Sequence, residues 1–175
     1  MIEIIRPEIV IFSLDWCRME ISQERFVIRT MYETHIDAMR DIVIGSFRLL
    51  RYTPIKFMGI NKLVHIMMDS DESWNDFGHR LVPKDLWQGI LKNPGTRSLA
   101  VQGERIDKLK GYLLVTIQPS TTQLGIDVSI NDHYEVDKID TTMGCDEIIN
   151  ILEEKWPFSI KTANDIIDVL YSRLR

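Results

Sequence analysis

The chain has 175 residues, with 21 lysines and arginines against 26 aspartates and glutamates, so its formal net charge at pH 7 is −5. Hydrophobic residues make up 45% and charged residues 27% of the sequence. These values exclude collagen, long disordered tails, disulfide-rich scaffolds and polytopic membrane proteins. At roughly 100–200 residues per domain, the length predicts a single domain over residues 1–175.

Net charge, cysteine content and the N-terminal segment limit the partners and the cellular location that we expect. The pI near 5.4 argues against a dedicated nucleic-acid binder, which usually has a basic domain. Cys17 and Cys145 lack the spacing of metal ligands, so we expect two free thiols in a reducing cytoplasm, with no metal and no cofactor. The segment Met1–Glu8 lacks the pattern of a signal peptide, and no apolar run is long enough to span a membrane.

The first fifty residues predict a strand, a hairpin and a helix. Residues 8–14 form a short apolar run, and residues 16–21 and 25–31 alternate about a turn at Ser22. The segment from Thr34 to Arg51 has helical periodicity, with Thr34 as its expected N-cap. The predicted apolar stripe of this helix consists of Ile36, Met39, Val43, Phe47 and Leu50.

The middle of the chain predicts a long strand and two short helices. Residues 55–68 are apolar on both faces, so we expect a central strand that is covered on both sides, with a bulge at Gly59. The acids of residues 69–72 predict a helix start. Pro83 predicts the first residue of a second short helix with an apolar face. That face consists of Leu86, Trp87, Ile90 and Leu91.

The last part of the chain predicts a meander followed by helices. Strands are expected over residues 97–103, 111–118 and 124–130, the last of which alternates most regularly. Asp137–Gly144 is predicted as a loop. Two amphipathic helices follow, over residues 146–155 and 162–174, with a hinge at Trp156-Pro157-Phe158.

These elements together predict an α+β fold in one domain, with a mainly antiparallel sheet and packed helices. Strands and helices do not alternate strictly, which argues against a doubly wound parallel sheet.

His133, Asp132 and Asp127 are the candidate catalytic residues. A histidine with an orienting carboxylate can act as a general base, and these residues lie near the end of the most regular strand. The alternative is an ordinary polar strand end, because Asn and Asp are common in turns. The acidic stretch around Asp71 fails the EF-hand pattern, and His65 is interpreted as a core or sheet-face histidine.

Charge is distributed unevenly along the chain. Residues 40–62 contain five bases and one acid, whereas residues 125–154 contain nine acids and one base. These regions could meet within one chain or between two copies. Two apolar residues on the back of the predicted helix, Ile42 and Leu49, indicate that this back is covered as well, either by another element or by a second subunit. The candidate interface therefore consists of Ile42, Leu49, Arg40, Arg48 and Arg51.

The favoured hypothesis is a non-enzymatic binding or assembly protein that acts as a homodimer, in the manner of a chaperone, an adaptor or an immunity protein. Two-fold dimers are the commonest oligomers, and the sequence contains no established catalytic motif. The alternative is a small enzyme whose site is assembled from distant residues around His133. A third hypothesis, an RNA or DNA accessory protein that uses the basic residues of segment 40–62, is disfavoured by the net charge.

Overall fold

Two antiparallel sheets and three α-helices make up the fold in a computed structural model, which describes residues 2–136 and 144–174. The predicted α+β class is confirmed. The strands are divided between two four-stranded sheets, whereas the sequence pattern predicts one sheet. The predicted loop Asp137–Gly144 lies outside the described residues except for Gly144.

The chain divides into two compact units. Unit 1 comprises Met1–Pro54 and Ile139–Glu153, and unit 2 comprises Ile55–Lys138 and Glu154–Arg175. The expectation that residues 1–175 fold as one domain stays a prediction.

Unit 1 contains sheet A, with the strand order β1–β2–β3–β4. The strands are β1 (Ile2–Arg6), β2 (Ile9–Ser13), β3 (Arg18–Ser22) and β4 (Phe26–Arg29), and all neighbours are antiparallel. The predicted hairpin and the strand before it are confirmed. Strand β1 was not predicted, because Glu3 interrupts its apolar residues. Across the sheet, Ser13 Oγ donates to Glu3 at 2.5 Å and Arg18 Nε at 3.2 Å, which satisfies the carboxylate.

Helix α1 (Ile36–Leu49) confirms the predicted helix of unit 1, although its predicted N-cap is wrong. A 3-10 turn over Glu33–His35 moves the start of the helix, so His35 is the N-cap residue and makes no capping hydrogen bond. Thr34 Oγ1 instead lies 2.9 Å from His35 Nδ1. Ile44 and Phe47 are the buried residues of α1, and Phe47 packs edge-to-face on Phe26.

Unit 2 contains sheet B, with the strand order β5–β8–β7–β6. Its strands are β5 (Phe57–Met67), β6 (Leu99–Glu104), β7 (Gly111–Pro119) and β8 (Gly125–Glu135). The prediction of a central position for β5 is wrong, because β5 pairs with β8 alone and forms an edge of the sheet. The predicted bulge at Gly59 is also wrong, since the β5–β8 register runs without a shift.

Helix α2 (Asp71–Leu81) has Ser70 as its N-cap residue, and the Ser70 Oγ accepts a hydrogen bond from the Ser73 N–H at 3.1 Å. The predicted second helix after Pro83 is wrong. Only a 3-10 turn forms, over Asp85–Trp87, and Gly89 then adopts a φ of 83°, which a right-handed helix cannot continue. The predicted apolar face is exposed: Leu86, Trp87, Ile90 and Leu91.

Helix α3 (Asp146–Leu174) is continuous through Pro157, so the prediction of two helices hinged there is wrong. An interior proline removes one helical hydrogen bond and usually kinks or breaks a helix. Within unit 2, contacts on the C-terminal side of Pro157 hold the helix. Ser159 bonds to β8, and Ala163 and Ile167 lie in the core.

The core of unit 2 lies between the inner face of sheet B and the helices packed on it. Burial of apolar area there is the main stabilising contribution to this unit. The buried residues of this core are Ile66, Met68, Phe77, Ile117, Ile126, Val128, Ile130, Ala163 and Ile167.

Ser70→Ala should lower the free energy of unfolding by about 1 kcal/mol, because it removes the acceptor for an otherwise unpaired helix N–H. Ser73→Ala is the matched control, since it keeps the backbone donor and loses only the contact between the two hydroxyls. Urea unfolding of both variants measures the difference. Equal losses in the two variants would contradict a capping role for Ser70.

Candidate functional site

A closed polar network surrounds Asp132 on the inner face of β8. Arg105 donates from Nε and Nη2 to the two oxygens of Asp107, at 3.0 and 2.7 Å, and from Nη1 to Asp132. Asp132 Oδ2 also lies 2.5 Å from Ser159 Oγ and 3.1 Å from the Tyr134 hydroxyl. The guanidinium carbon of Arg105 lies 3.6 Å from the centre of the Tyr134 ring.

Burial and pairing lower the pKa of Asp107 and raise the pKa values of Arg105 and Tyr134. Burial alone would raise the pKa of Asp107, but hydrogen bonds from Arg105 and from the Leu109 N–H lower it below its usual value. Burial disfavours the charge of Arg105, but the hydrogen bonds to Asp107 outweigh that effect and raise its pKa. Burial raises the pKa of Tyr134 to about 12, so its hydroxyl stays protonated.

This network holds elements together and is closed to a substrate. The Arg105 side chain is 3% exposed and that of Asp132 is 8% exposed. The loop after β6, strand β8 and helix α3 each contribute to it. A catalytic carboxylate has to reach a substrate, and Asp132 is enclosed by its own partners.

The structure does not bring the three candidate catalytic residues together. Neighbouring residues of a strand point to opposite faces, so Asp132 lies on the inner face of β8 and His133 on the outer face. Asp127 shares the outer face, but six residues of strand place it about 20 Å from His133. Asp127 bonds instead to His65, with 3.0 Å between its Oδ1 and Nδ1 of the imidazole. Their catalytic role stays a prediction, and no geometry supports it.

His133 belongs to a row of stacked rings on the outer face of sheet B. Its ring lies 4.5 Å from that of Tyr112 on β7 and 5.6 Å from that of Phe57 on β5, with interplanar angles of 22° and 27°. Cross-strand aromatic pairs of this kind stabilise a sheet. The row ends at Phe57, which is 60% exposed.

The predicted interface residues of unit 1 lie on and just after α1. Arg48 pairs with Glu153, and Arg51 lies 3.8 Å from Asp146, so the basic and acidic regions meet within one chain at these points. Arg40 pairs with Asp37 and Asp41 on its own helix.

The two apolar residues of that predicted interface differ in exposure. Ile42 is half-buried, and Leu49 is 87% exposed. The role of this helix back in a dimer stays a prediction.

Two clefts lined by described residues contain no catalytic arrangement of those residues. One, of about 350 Å³, lies along α1 and is lined by the paired Arg40 and Arg48. The other, of about 90 Å³, lies beside α2 in unit 2 and is lined by Lys84. The Lys84 ammonium donates to Thr96 and to the carbonyls of Gly78 and Val82, which uses its three donors.

Metal binding and membrane spanning have no support in residues 2–136 and 144–174. No group of three or more His, Cys, Asp or Glu side chains there could hold a metal ion. No helix in this part of the chain combines the length and apolar character needed to cross a bilayer.

The strongest functional feature is the edge of β5 that faces away from β8. The hydrogen bonds at the two ends of β5 show which residues direct their backbone N–H and C=O groups toward β8. The Val136 N–H donates to Lys56 O at 2.9 Å, and the Met68 N–H donates to Leu124 O at 3.0 Å. Even-numbered residues therefore direct their backbone groups toward β8. Because the alternation continues without a register shift, odd-numbered residues direct theirs toward the other edge.

That edge has no strand partner in the described parts of the chain. β5 forms backbone hydrogen bonds with β8, and its flanking residues Lys56 and Met68 bond the residues that flank β8. One side chain reaches this backbone, since Asn61 Nδ2 donates to Gly59 O at 3.3 Å. Six residues therefore carry N–H and C=O groups on the edge that no strand covers. They are Phe57, Gly59, Asn61, Leu63, His65 and Met67.

The side chains of the same odd-numbered residues stand on the outer face. Leu63 is 71% and Met67 is 54% exposed, so β5 leaves two large apolar side chains in solvent. The sequence contained the apolar pattern of β5 but not its place at the edge. A strand of this composition is typical of a sheet interior, so the sequence alone predicts a central position.

No family model, no curated protein and no solved structure matches the chain. Its function is therefore inferred from its own geometry.

Arg105→Met should lower the free energy of unfolding by about 3–5 kcal/mol, because it leaves the buried Asp132 carboxylate and the half-buried Asp107 carboxylate without their cation. The exposed Arg97→Met is the control and should change stability by no more than about 0.5 kcal/mol. Chemical denaturation measures both variants. Similar small effects would show that the Arg105 network does not hold unit 2 together.

Asp107→Asn should reduce the loss of unfolding free energy that the protein shows as the pH falls into the acid range. The folded-state pKa of Asp107 lies below its usual value of 3.8, so its contribution is complete above that pH and is lost as pH falls through the folded pKa. The stability difference between wild type and Asp107→Asn should therefore shrink below about pH 4. Urea unfolding between pH 3 and pH 7 measures it, and a difference independent of pH would contradict the assignment.

Proposed function

We propose that the protein is a non-enzymatic binding and assembly module that takes a partner strand onto the edge of β5. The observation that carries this proposal is the row of odd-numbered β5 residues whose backbone groups meet no strand in the described chain. Strand addition at a sheet edge obtains affinity from backbone hydrogen bonds and specificity from alternate side chains.

The edge of β5 lacks most of the features that normally prevent pairing. Natural edge strands are shortened, bulged or interrupted by proline, or they carry charges that keep other strands away. β5 is as long as its neighbour β8, runs without a bulge and contains no proline. Its one formally charged residue is Lys62, on the inner face, and the ammonium donates to Asn164 of α3 at 2.5 Å. The length, the unshifted register and the absence of proline favour an edge that accepts a partner, whereas an inward-pointing charge such as Lys62 is a feature that natural edges use against pairing.

The side chains on this edge support the same proposal. Phe57, Leu63 and Met67 expose apolar area on one face of β5, next to the backbone groups that a strand would bond. An added strand would cover both at once, so hydrogen bonding and apolar burial would contribute together. An adaptor or a chaperone requires this kind of association.

The state of the cysteines and the weakness of the enzyme hypothesis also support a non-enzymatic binding protein. Cys17 and Cys145 are buried free thiols, which suits the proposed cytoplasmic location. The alternative enzyme hypothesis lacks a comparable observation, because His133 stacks between aromatic rings and Asp132 is enclosed.

A matched pair of proline substitutions tests strand addition. Leu63→Pro removes an N–H that points to the edge and places a ring in the path of an incoming strand. Val64→Pro removes an N–H that bonds β8. We expect Leu63→Pro to keep the fold, and Val64→Pro to be less stable than Leu63→Pro by about 2 kcal/mol. Circular dichroism and thermal unfolding measure both.

The functional readout is the set of proteins, including further copies of the chain, retained by the tagged full-length protein after cross-linking in cells. We expect specific proteins to be retained by wild type and by a Leu49→Asp control, and to be lost with Leu63→Pro. Identical sets for wild type and Leu63→Pro would contradict strand addition at β5.

A further inference from the structure

We infer that the partner strand is β5 of a second copy, so that two chains form a two-fold dimer with one continuous eight-stranded sheet. This inference rests on the proposed function and names its partner. In a two-fold interface the same surface meets itself, and residue i of one copy contacts residue j while j contacts i. β5 must therefore be complementary to its own antiparallel sequence.

The two faces of sheet B restrict how two copies of β5 can pair. Residues directly opposite each other in an antiparallel pair point to the same face, so odd residues must meet odd residues. The two-fold axis then passes between one residue and the same residue of the other copy. An axis at Lys62 is the least favourable, because two ammonium groups would face each other.

An axis at Asn61 gives a complementary pairing. It places the two Asn61 side chains together, where their amides can bond to each other. It sets Leu63 opposite Gly59, which has no side chain to oppose it. It also sets Phe57 opposite His65, which would extend the row of rings formed by Tyr112, His133 and Phe57 across the interface.

The pairing of inner-face residues, and a comparison with an axis at Leu63, also support an axis at Asn61. An axis at Asn61 sets Lys62 opposite Ile60, so no like charges meet within the paired strands. An axis at Leu63 would instead pair Asn61 with His65 and leave Phe57 facing Asp69, beyond the end of β5. The Asn61 axis therefore covers Phe57, the largest exposed side chain of the strand.

Charge does not oppose pairing of two copies at this edge, although it does elsewhere on the chain. The chain carries a formal net charge of −5, so two copies repel each other over much of their surface. Residues 57–67 contain no aspartate or glutamate. The β5 edge is thus a place where two acidic chains can approach without direct repulsion between carboxylates.

The first test measures the mass of the purified full-length chain by native mass spectrometry at moderate salt. We expect wild type at twice the 20.5 kDa of the chain and Leu63→Pro as a folded monomer. The Ile42→Asp, Leu49→Asp double variant should remain a dimer, because its changes lie on α1 of unit 1. Loss of the dimer in that variant, with Leu63→Pro still dimeric, would overturn the inference in favour of an interface on α1.

The second test determines the register by oxidation of single cysteine variants. With the axis at Asn61, the two Cα atoms of residue 61 lie about 5.5 Å apart, within reach of a disulfide. Those of residue 63 are displaced by four residues, about 13 Å along the strands. We expect Asn61→Cys to form a covalent dimer under mild oxidation, whereas Leu63→Cys and wild type, with its buried Cys17 and Cys145, should not. A covalent dimer of Leu63→Cys alone would overturn the Asn61 axis.

Failure of this inference differs from failure of the proposed function. If wild type is a monomer and neither cysteine variant cross-links, self-pairing is overturned. Proteins that are retained by wild type and lost with Leu63→Pro would then still support strand addition with another partner. A monomer whose retained proteins do not respond to Leu63→Pro would overturn both.

Discussion

The alternation of side chains along β8 is the constraint on which unit 2 depends. β8 is hydrogen-bonded on both sides, so its register sets the positions of β5 and β7. Its even-numbered residues enter the core and, toward the end of the strand, supply Asp132 and Tyr134 to the polar network. Its odd-numbered residues line the outer face. A slip of one residue would exchange the two sets and place apolar side chains in solvent, so core burial holds the whole sheet in one register.

The Arg105 network adds orientation to that register. Buried ion pairs often contribute little net stability, because the cost of removing charges from water offsets their attraction. The planar guanidinium, however, bonds both oxygens of Asp107 while it also reaches Asp132, and few arrangements of the loop after β6 satisfy this geometry. Ser159 brings α3 to the same carboxylate. The network thus fixes how a loop and a helix approach β8, and its enclosure explains why the most polar cluster of the unit is separate from the surface proposed for binding.

The proposed binding surface follows from the same alternation, one strand away. Because β5 pairs with β8 through its even-numbered residues, the odd-numbered residues present both their backbone groups and their side chains where no strand of the described chain covers them. Hydrogen-bonding capacity and exposed apolar area therefore coincide at Phe57, Leu63 and Met67. This coincidence distinguishes β5 from β6, the opposite edge of sheet B, which is a strand of six residues that includes Gly103 and Glu104.

The sequence by itself determined the local elements. The α+β class, the β3–β4 hairpin, helix α1 and the alternation of β8 follow from periodicities of two and of 3.6 residues, which depend only on near neighbours. The separation of Asp132 and His133 was also present in the sequence, because adjacent strand residues face opposite ways. Only the tertiary structure decided that β5 is an edge, that Asp132 meets Arg105 and Ser159, and that α3 continues through Pro157. These outcomes depend on contacts between residues distant in sequence, since the strand beside an edge and the partner of a buried charge are set by packing and not by local propensity.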